Sequence, residues 1–198
     1  MSFPVDDVLT RAELAAVRAA LNSDGVTNAL RTIDYAHHEI HSGSSFRAQT
    51  YVASGTQRII AFKVGAGTKQ PHMTWDYDTE SSAHVTLLEA PTWTTNTGAR
   101  LTCMQSNRNS GNTSILEGDG TGAGGFVAGE VVTNPTGLAG GTVISLRYVF
   151  APKQAGNSGL QRTEVLLLPN TQYAFVLDSD DGARGMQLRL DWYEHTPL

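Results

Sequence analysis

The sequence predicts an all-β fold, a jelly-roll-like antiparallel β-sandwich with a short N-terminal helical arm. Three observations predict it. From about residue 35 to the end, apolar residues recur with a period of two, as they do in strands that bury one face. Turn chemistry separates these runs and no helical pattern is interleaved among them, which excludes a βαβ fold and favours a sandwich. Of the 198 residues 40% are hydrophobic and 17% charged, with 20 glycines; that composition is too apolar for disorder and leans towards β structure.

In chain order, the first element is the helix of the arm. Thr10 and Glu13 have capping-box spacing, Leu14, Val17 and Leu21 recur on one helical face, and Asn22, Ser23, Asp24 and Gly25 stop the pattern. A second short stretch, 26–33, offers another turn or two around Leu30 and Ile33. A helix of roughly a dozen residues is marginal alone in water, so its apolar stripe must dock on this domain or on a neighbouring subunit. The expected organisation is therefore an arm over 1–33 and a sandwich over 34–198.

Strands follow. Residues 58–64 place Ile60, Phe62 and Val64 on one face, then Met73, Trp75 and Tyr77 share a face, and Val85 with Leu87 mark the next. Further alternating runs cover 101–105, 143–150, 164–168, 173–177 and 186–193, the last with Met186, Leu188, Leu190 and Trp192 on one side. Pro169-Asn170 and Asp181-Gly182 supply turns between strands. One long stretch, 106–141, breaks the rhythm with Asn107, Asn109 and Asn112, then Gly118, Gly120, Gly122, Gly124 and Gly125, then Asn134-Pro135 and Gly140-Gly141. It reads as a long Gly/Asn-rich loop, with room for one short strand at Val131 and Val132.

Charge and cysteine usage narrow the function. The formal net charge of −5 argues against a phosphate-gripping basic stripe, so no nucleic-acid partner is expected. Cys103 is the single cysteine, which excludes an intrachain disulfide and any CxxC pair. The first residues lack a secretion signal and no run of about 18 apolar residues occurs, so synthesis in a cytoplasm and no membrane association are expected.

The densest group of potential ligands is His37, His38, Glu39 and His41. On a strand, His37, Glu39 and His41 would alternate onto one face and invite a metal. No His-x-His motif with further ligands at metal-site distances follows, so an exposed or interfacial histidine cluster is the preferred reading, and no metal is expected. Gly120, Gly122 and Gly125 satisfy G-x-G-x-x-G without the strand and helix a dinucleotide site requires. Asp178, Asp180, Asp181 and Gly182 lack the closing Glu of a calcium loop and read as a turn. Cys103 alternates within a strand and reads as a buried, inert thiol. Carboxylate pairs for glycoside hydrolysis can be drawn from Asp76, Asp78 and Glu80, or from Asp191 and Glu194, as from any acidic surface. Trp75, Trp93, Trp192, Tyr77 and Tyr193 suit either a sugar-binding face or core and interface anchors. Asn112 opens an N-x-S sequon, which matters only in a eukaryotic secretory route. No catalytic, cofactor-binding or metal-binding residue is assigned.

Four segments carry a family likeness: Ile33-Asp34-Tyr35-Ala36-His37-His38-Glu39-Ile40-His41-Ser42-Gly43, Ser106-Asn107-Arg108-Asn109-Ser110, Leu168-Pro169-Asn170-Thr171-Gln172-Tyr173, and Leu190-Asp191-Trp192-Tyr193-Glu194-His195. In this order they resemble a family of tailed-bacteriophage virion structural proteins, the head decoration or cement proteins, from about residue 33 to the C-terminus. The resemblance implies a non-enzymatic protein, assembled in the host cytoplasm onto the outer surface of the phage head, with no catalytic residues and no cofactor. Its partner would be the major capsid protein, whose neighbouring subunits it bridges and so stabilises. Such a role suits a homotrimer with self-complementary surfaces and an arm reaching a neighbour, because many weak contacts on one lattice add through multivalency. Two rivals stand beside it: a tail-tip or fibre module recognising host glycans, and a metal-dependent β-sandwich enzyme using His37, Glu39 and His41.

Overall fold

Segments with a two-residue apolar period become strands, and the one region read wrongly by that period becomes a helix. The computed structural model describes residues 35–122, 124–150, 157–160 and 164–196. The arm expected over 1–33, with its helix, lies outside the described residues. Helix α1 (Tyr35–Ser42) leads into β1 (Ser45–Gly55), β2 (Gln57–Val64), β3 (Gln70–Thr79) and β4 (Ala83–Glu89). Five short strands follow, β5 (Ala99–Thr102), β6 (Met104–Gln105), β7 (Leu116–Gly118), β8 (Val127–Ala128) and β9 (Glu130–Thr133). The chain then runs through β10 (Thr142–Val149), β11 (Asn157–Leu160), β12 (Val165–Leu166), β13 (Gln172–Ser179) and β14 (Arg184–His195).

The end of α1 is set by Gly43, at φ 75°. Its N–H reaches Ile40 O at 3.1 Å and the next N–H, from Ser44, reaches Glu39 O at 3.0 Å. These two bonds form a Schellman motif, which glycine favours because it adopts the left-handed conformation without a Cβ penalty. The histidine-rich segment is therefore helical, correcting the period-two reading of this stretch.

Two antiparallel sheets make the sandwich. The first runs β6-β1-β14-β3, with β11 and β12 both on the far side of β3; the second runs β2-β13-β4-β10. Counting β11 and β12 as one strand position gives eight positions. The first pairs with the last (β1·β14), the second with the seventh (β2·β13), the third with the sixth (β3 with β11 and β12) and the fourth with the fifth (β4·β10). This is a long antiparallel ribbon rolled up so that β14 meets β3 and β13 meets β4: the jelly roll expected from the sequence.

Between the sheets lie Phe46 and Ala48 of β1, Met73, Trp75 and Tyr77 of β3, Leu188, Leu190 and Trp192 of β14, and the inner residues of β2, β4 and β13. Two polar atoms end in this core, Trp75 Nε1 and the Tyr77 hydroxyl, with no hydrogen-bond partner. Burial pushes the Tyr77 phenol pKa up, with Arg147 opposing. An unpaired buried hydroxyl gives up its hydration without return. Tyr77→Phe is therefore expected to melt at or above the wild-type temperature, a gain of up to about 1 kcal/mol; a clear loss of stability in thermal denaturation would reveal a partner for the hydroxyl.

The stretch expected as a long loop with one short strand is an insertion of several short strands that closes one side of the sandwich. β7 and β9 pair with the free edge of β2, and β9 with β5. After Cys103 the chain changes sheet, so that β6 covers the start of β1. Val131 and Val132, the expected short strand, are both fully buried in β9. Trp93, Val132 and Leu138 also cover the outer face of the second sheet, over Ile59, Ala61, Ala174 and Val176. β2 and β13 are thereby buried on both faces, which explains their continuous rather than alternating apolar runs. Gly98 makes a close crossing possible: at φ 74°, a Cβ there would lie 2.4 Å from Thr133 O.

Candidate functional site

Three of the segments carrying the family likeness, spread along the sequence, come together at one end of the first sheet through their residues 39–43, 106–110 and 190–195. Ser45 at the start of β1 pairs with Tyr193, and Phe46 pairs with Gln105. Asn107 Nδ2 donates to His41 O at 3.1 Å, and Gln105 Nε2 and Asn112 Nδ2 donate to Gly43 O at 2.7 and 3.2 Å. Amide side chains of the Asn-rich run thus satisfy carbonyls left open at the end of α1. Glu194 N donates to Ser44 O at 3.0 Å, and Leu167 N to Pro71 O at 3.0 Å. Nearby, the Tyr173 hydroxyl accepts from Leu168 N at 2.9 Å and donates to Glu89 at 2.8 Å; burial and then Glu89 push its pKa well up.

On the outer face of this end lies a cluster invisible in the sequence. His72 Nδ1 is 3.0 Å from Glu164 Oε2 and 3.1 Å from the Tyr193 hydroxyl. The His72 ring stacks on Tyr193 at 4.6 Å and meets His195 at 4.3 Å. His72 and His195, far apart in sequence, are brought together because β3 and β14 pair with Tyr193 opposite His72, which leaves His195 as the diagonal neighbour. Along the same face an alternating charge ladder crosses three strands. Arg47 lies 3.6 Å from Asp191, Arg189 2.6 Å from Asp191, and Arg189 3.8 Å from Asp76. Burial raises the Asp76 pKa while Arg189 pulls it down, and the Asp191 hydrogen bond raises that of Arg189.

Of the residues weighed as metal ligands, Glu39 and His41 do not come together, and the His37 side chain lies outside what the structure describes. In α1 the turn of about 200° between Glu39 and His41 leaves Glu39 buried and His41 exposed. Among the described residues, no three His, Cys, Asp or Glu side chains come together as a metal set. Asp191 and Glu194 face opposite sides of β14, the first in the ladder and the second buried. Asp76 and Asp78 share the outer face of β3, whereas Glu80 accepts from Gly185 N at 3.0 Å. Gly120, Gly122 and Gly125 lie between β7 and β8, where Gly122 N donates to Asn96 Oδ1 at 3.0 Å and a strand, not a helix, follows. Asp178 and Asp180 flank His84 at 3.6 and 2.9 Å, Asp181 caps Ser82 N, and Gly182 turns at φ 84°.

Cys103 is buried, and that burial pushes its thiol up to about 12, far from thiolate reactivity. Trp75, Tyr77 and Trp192 are core residues and Trp93 belongs to the smaller outer core, where its Nε1 donates to Asp119 at 2.7 Å. They form no exposed aromatic face. A shallow depression of about 370 Å³ is lined by Lys63, Ala90, Phe126, Asn170, Thr171 and Gln172; its cation, Lys63, lies 5.6 Å over the Phe126 ring and 3.7 Å from Glu117.

The function of Glu194 was missed by sequence reasoning. Its carboxylate accepts from Ser114 Oγ at 2.5 Å, Trp192 Nε1 at 2.9 Å and Ile115 N at 3.0 Å, pinning the insertion to β14. Its even-numbered place in the Met186–Trp192 alternation was the available signal. Among the described residues no helix is long and apolar enough to cross a membrane. No protein-family model, curated protein or solved structure matches the chain.

Proposed function

We propose that the chain is a non-enzymatic phage virion protein that decorates the outer surface of the head as a homotrimer and stabilises it by bridging neighbouring major capsid protein subunits. The observation that carries this reading is the convergence at one end of the first sheet. Residues 39–43 and 106–110 touch there through side-chain amides, and 190–195 joins them across the start of β1 by backbone pairing, so these residues build one structural joint rather than scattered surface. The groups able to do chemistry at that end are engaged with one another in ion pairs, stacks and caps. A sandwich sealed along one side and apolar along the other suits a body whose work is assembly.

The test is cryo-electron microscopy of heads mixed with the purified chain. Density repeated at local threefold positions of the shell is the expected result. Density confined to the tail, or none, would discard the reading; glycan-array binding by the isolated protein would then put host recognition in its place.

A further inference from the structure

Among the described strands β10 stands at an edge of the second sheet. Among the described residues its one strand neighbour is β4, whereas the opposite edge of that sheet is closed by the insertion. The register with β4 shifts between Val143 and Ser145, and the extra residue, Ile144, keeps Val143 and Leu146 on one face despite their odd spacing. Val143, Ile144, Leu146, Tyr148 and Phe150 are each between 40 and 76% exposed. Tyr148 and Phe150 stack at 6.1 Å with their planes 9° apart. Val149 alternates to the other face and packs on the core.

We propose that this stripe is the surface through which copies of the chain associate, a second copy covering it in the assembly. The inference rests on the self-association in the reading above and not on its capsid partner. Natural edges are guarded by Lys, Pro, inward-pointing charges or covering segments; on β10 the charge is Arg147, on the face opposite the stripe, and the five stripe residues are all apolar or aromatic. Taking roughly 200 Å² for a large side chain, the exposed portions leave about 500 Å² of apolar surface. That matches the apolar share of the roughly 800 Å² each partner buries in a standard interface. The net charge of −5 repels a second copy overall, and the stripe, being neutral, is where that repulsion is not concentrated. Beside it, His84 stacks on Tyr148 at 5.2 Å and is held by Asp178 and Asp180.

The experiment is the mass of the full chain by light scattering through a dilution series, for wild type, Leu146→Glu and the uncharged double variant Ile144→Ser with Leu146→Ser. Wild type is expected at a multiple of the single-chain mass. Both variants are expected to associate at least about 30-fold more weakly, with far-ultraviolet circular dichroism unchanged because the sites are exposed and melting lowered only by the association lost. Wild type at the single-chain mass overturns the proposal and removes the trimer from the reading above. A wild-type assembly that both variants leave intact overturns it while leaving that reading in place.

Discussion

Leu190→Asp is expected to leave the chain unfolded at 25 °C. Leu190 is fully buried on the inner face of β14, paired with Ala48 of β1 on one side and Trp75 of β3 on the other. The substitution removes a leucine from the centre of the core, worth about 1.5–3 kcal/mol of burial. It then places a carboxyl group inside the core, between Ala48 and Trp75 and out of reach of water. An unpaired buried charge costs several kcal/mol more even after it takes up a proton, and the total approaches the 5–15 kcal/mol that holds a typical domain together. The control is Gln187→Ser, on the same strand and the opposite face, expected within about 0.5 kcal/mol of wild type. Circular dichroism and thermal melting decide: a cooperative wild-type-like transition for Leu190→Asp means that the register of β14 is misassigned.

That strand was also the most legible in the sequence, for the same physical reason. β14 has solvent on one face and core on the other, so its pattern alternates cleanly from Met186 to Glu194. β2 and β13 were legible as strands but not as doubly covered ones, because what buries Ile59, Ala61, Ala174 and Val176 comes from Trp93, Val132 and Leu138, far away in sequence. β1 was hardest to see: within Ser45–Gly55 the fully buried residues are Phe46 and Ala48, too few for a pattern until β14 supplies the register. The histidine-rich helix was misread because period two was carried back across Gly43, whose Ser-Gly pair is the helix stop the sequence did contain. The cluster of His72, Tyr193, His195 and Glu164 depends on the pairing of β3 with β14 and on the return of the chain at β12, information that no local window holds.

Glu194→Ala is expected to lower stability by about 3–5 kcal/mol, because the buried Trp192 N–H and the Ile115 N–H lose their acceptor and each orphaned donor costs about 1–3 kcal/mol. For a domain of this size that is a fall of roughly 10 °C in melting temperature. Glu194→Gln keeps one oxygen for these donors and is expected to lose less. The pair of variants also reads the carboxyl's titration. Burial raises the Glu194 pKa above the usual glutamate value of 4.5, although three donors pull it down. The folded state therefore holds the proton more tightly than the unfolded chain. The stability this contributes is present in full below the ordinary value and is lost as pH rises through the raised one. Wild type should accordingly gain on Glu194→Gln as pH falls from neutral towards 4.5; a constant difference across that window would mean that Glu194 titrates as an ordinary surface carboxyl. A local readout accompanies the global one. Ser114 and Glu194 both bear on Cys103, and Cys103 N donates to Gly129 O at 2.8 Å, so releasing the pin loosens the insertion around the thiol. Cys103 in Glu194→Ala should react with a thiol reagent well before global unfolding, and amide exchange at Ile115 and Leu116 should quicken with it. If the thiol stays closed until the whole domain melts, the insertion is held by β7 and β9 against β2 and Glu194 is not its fastening.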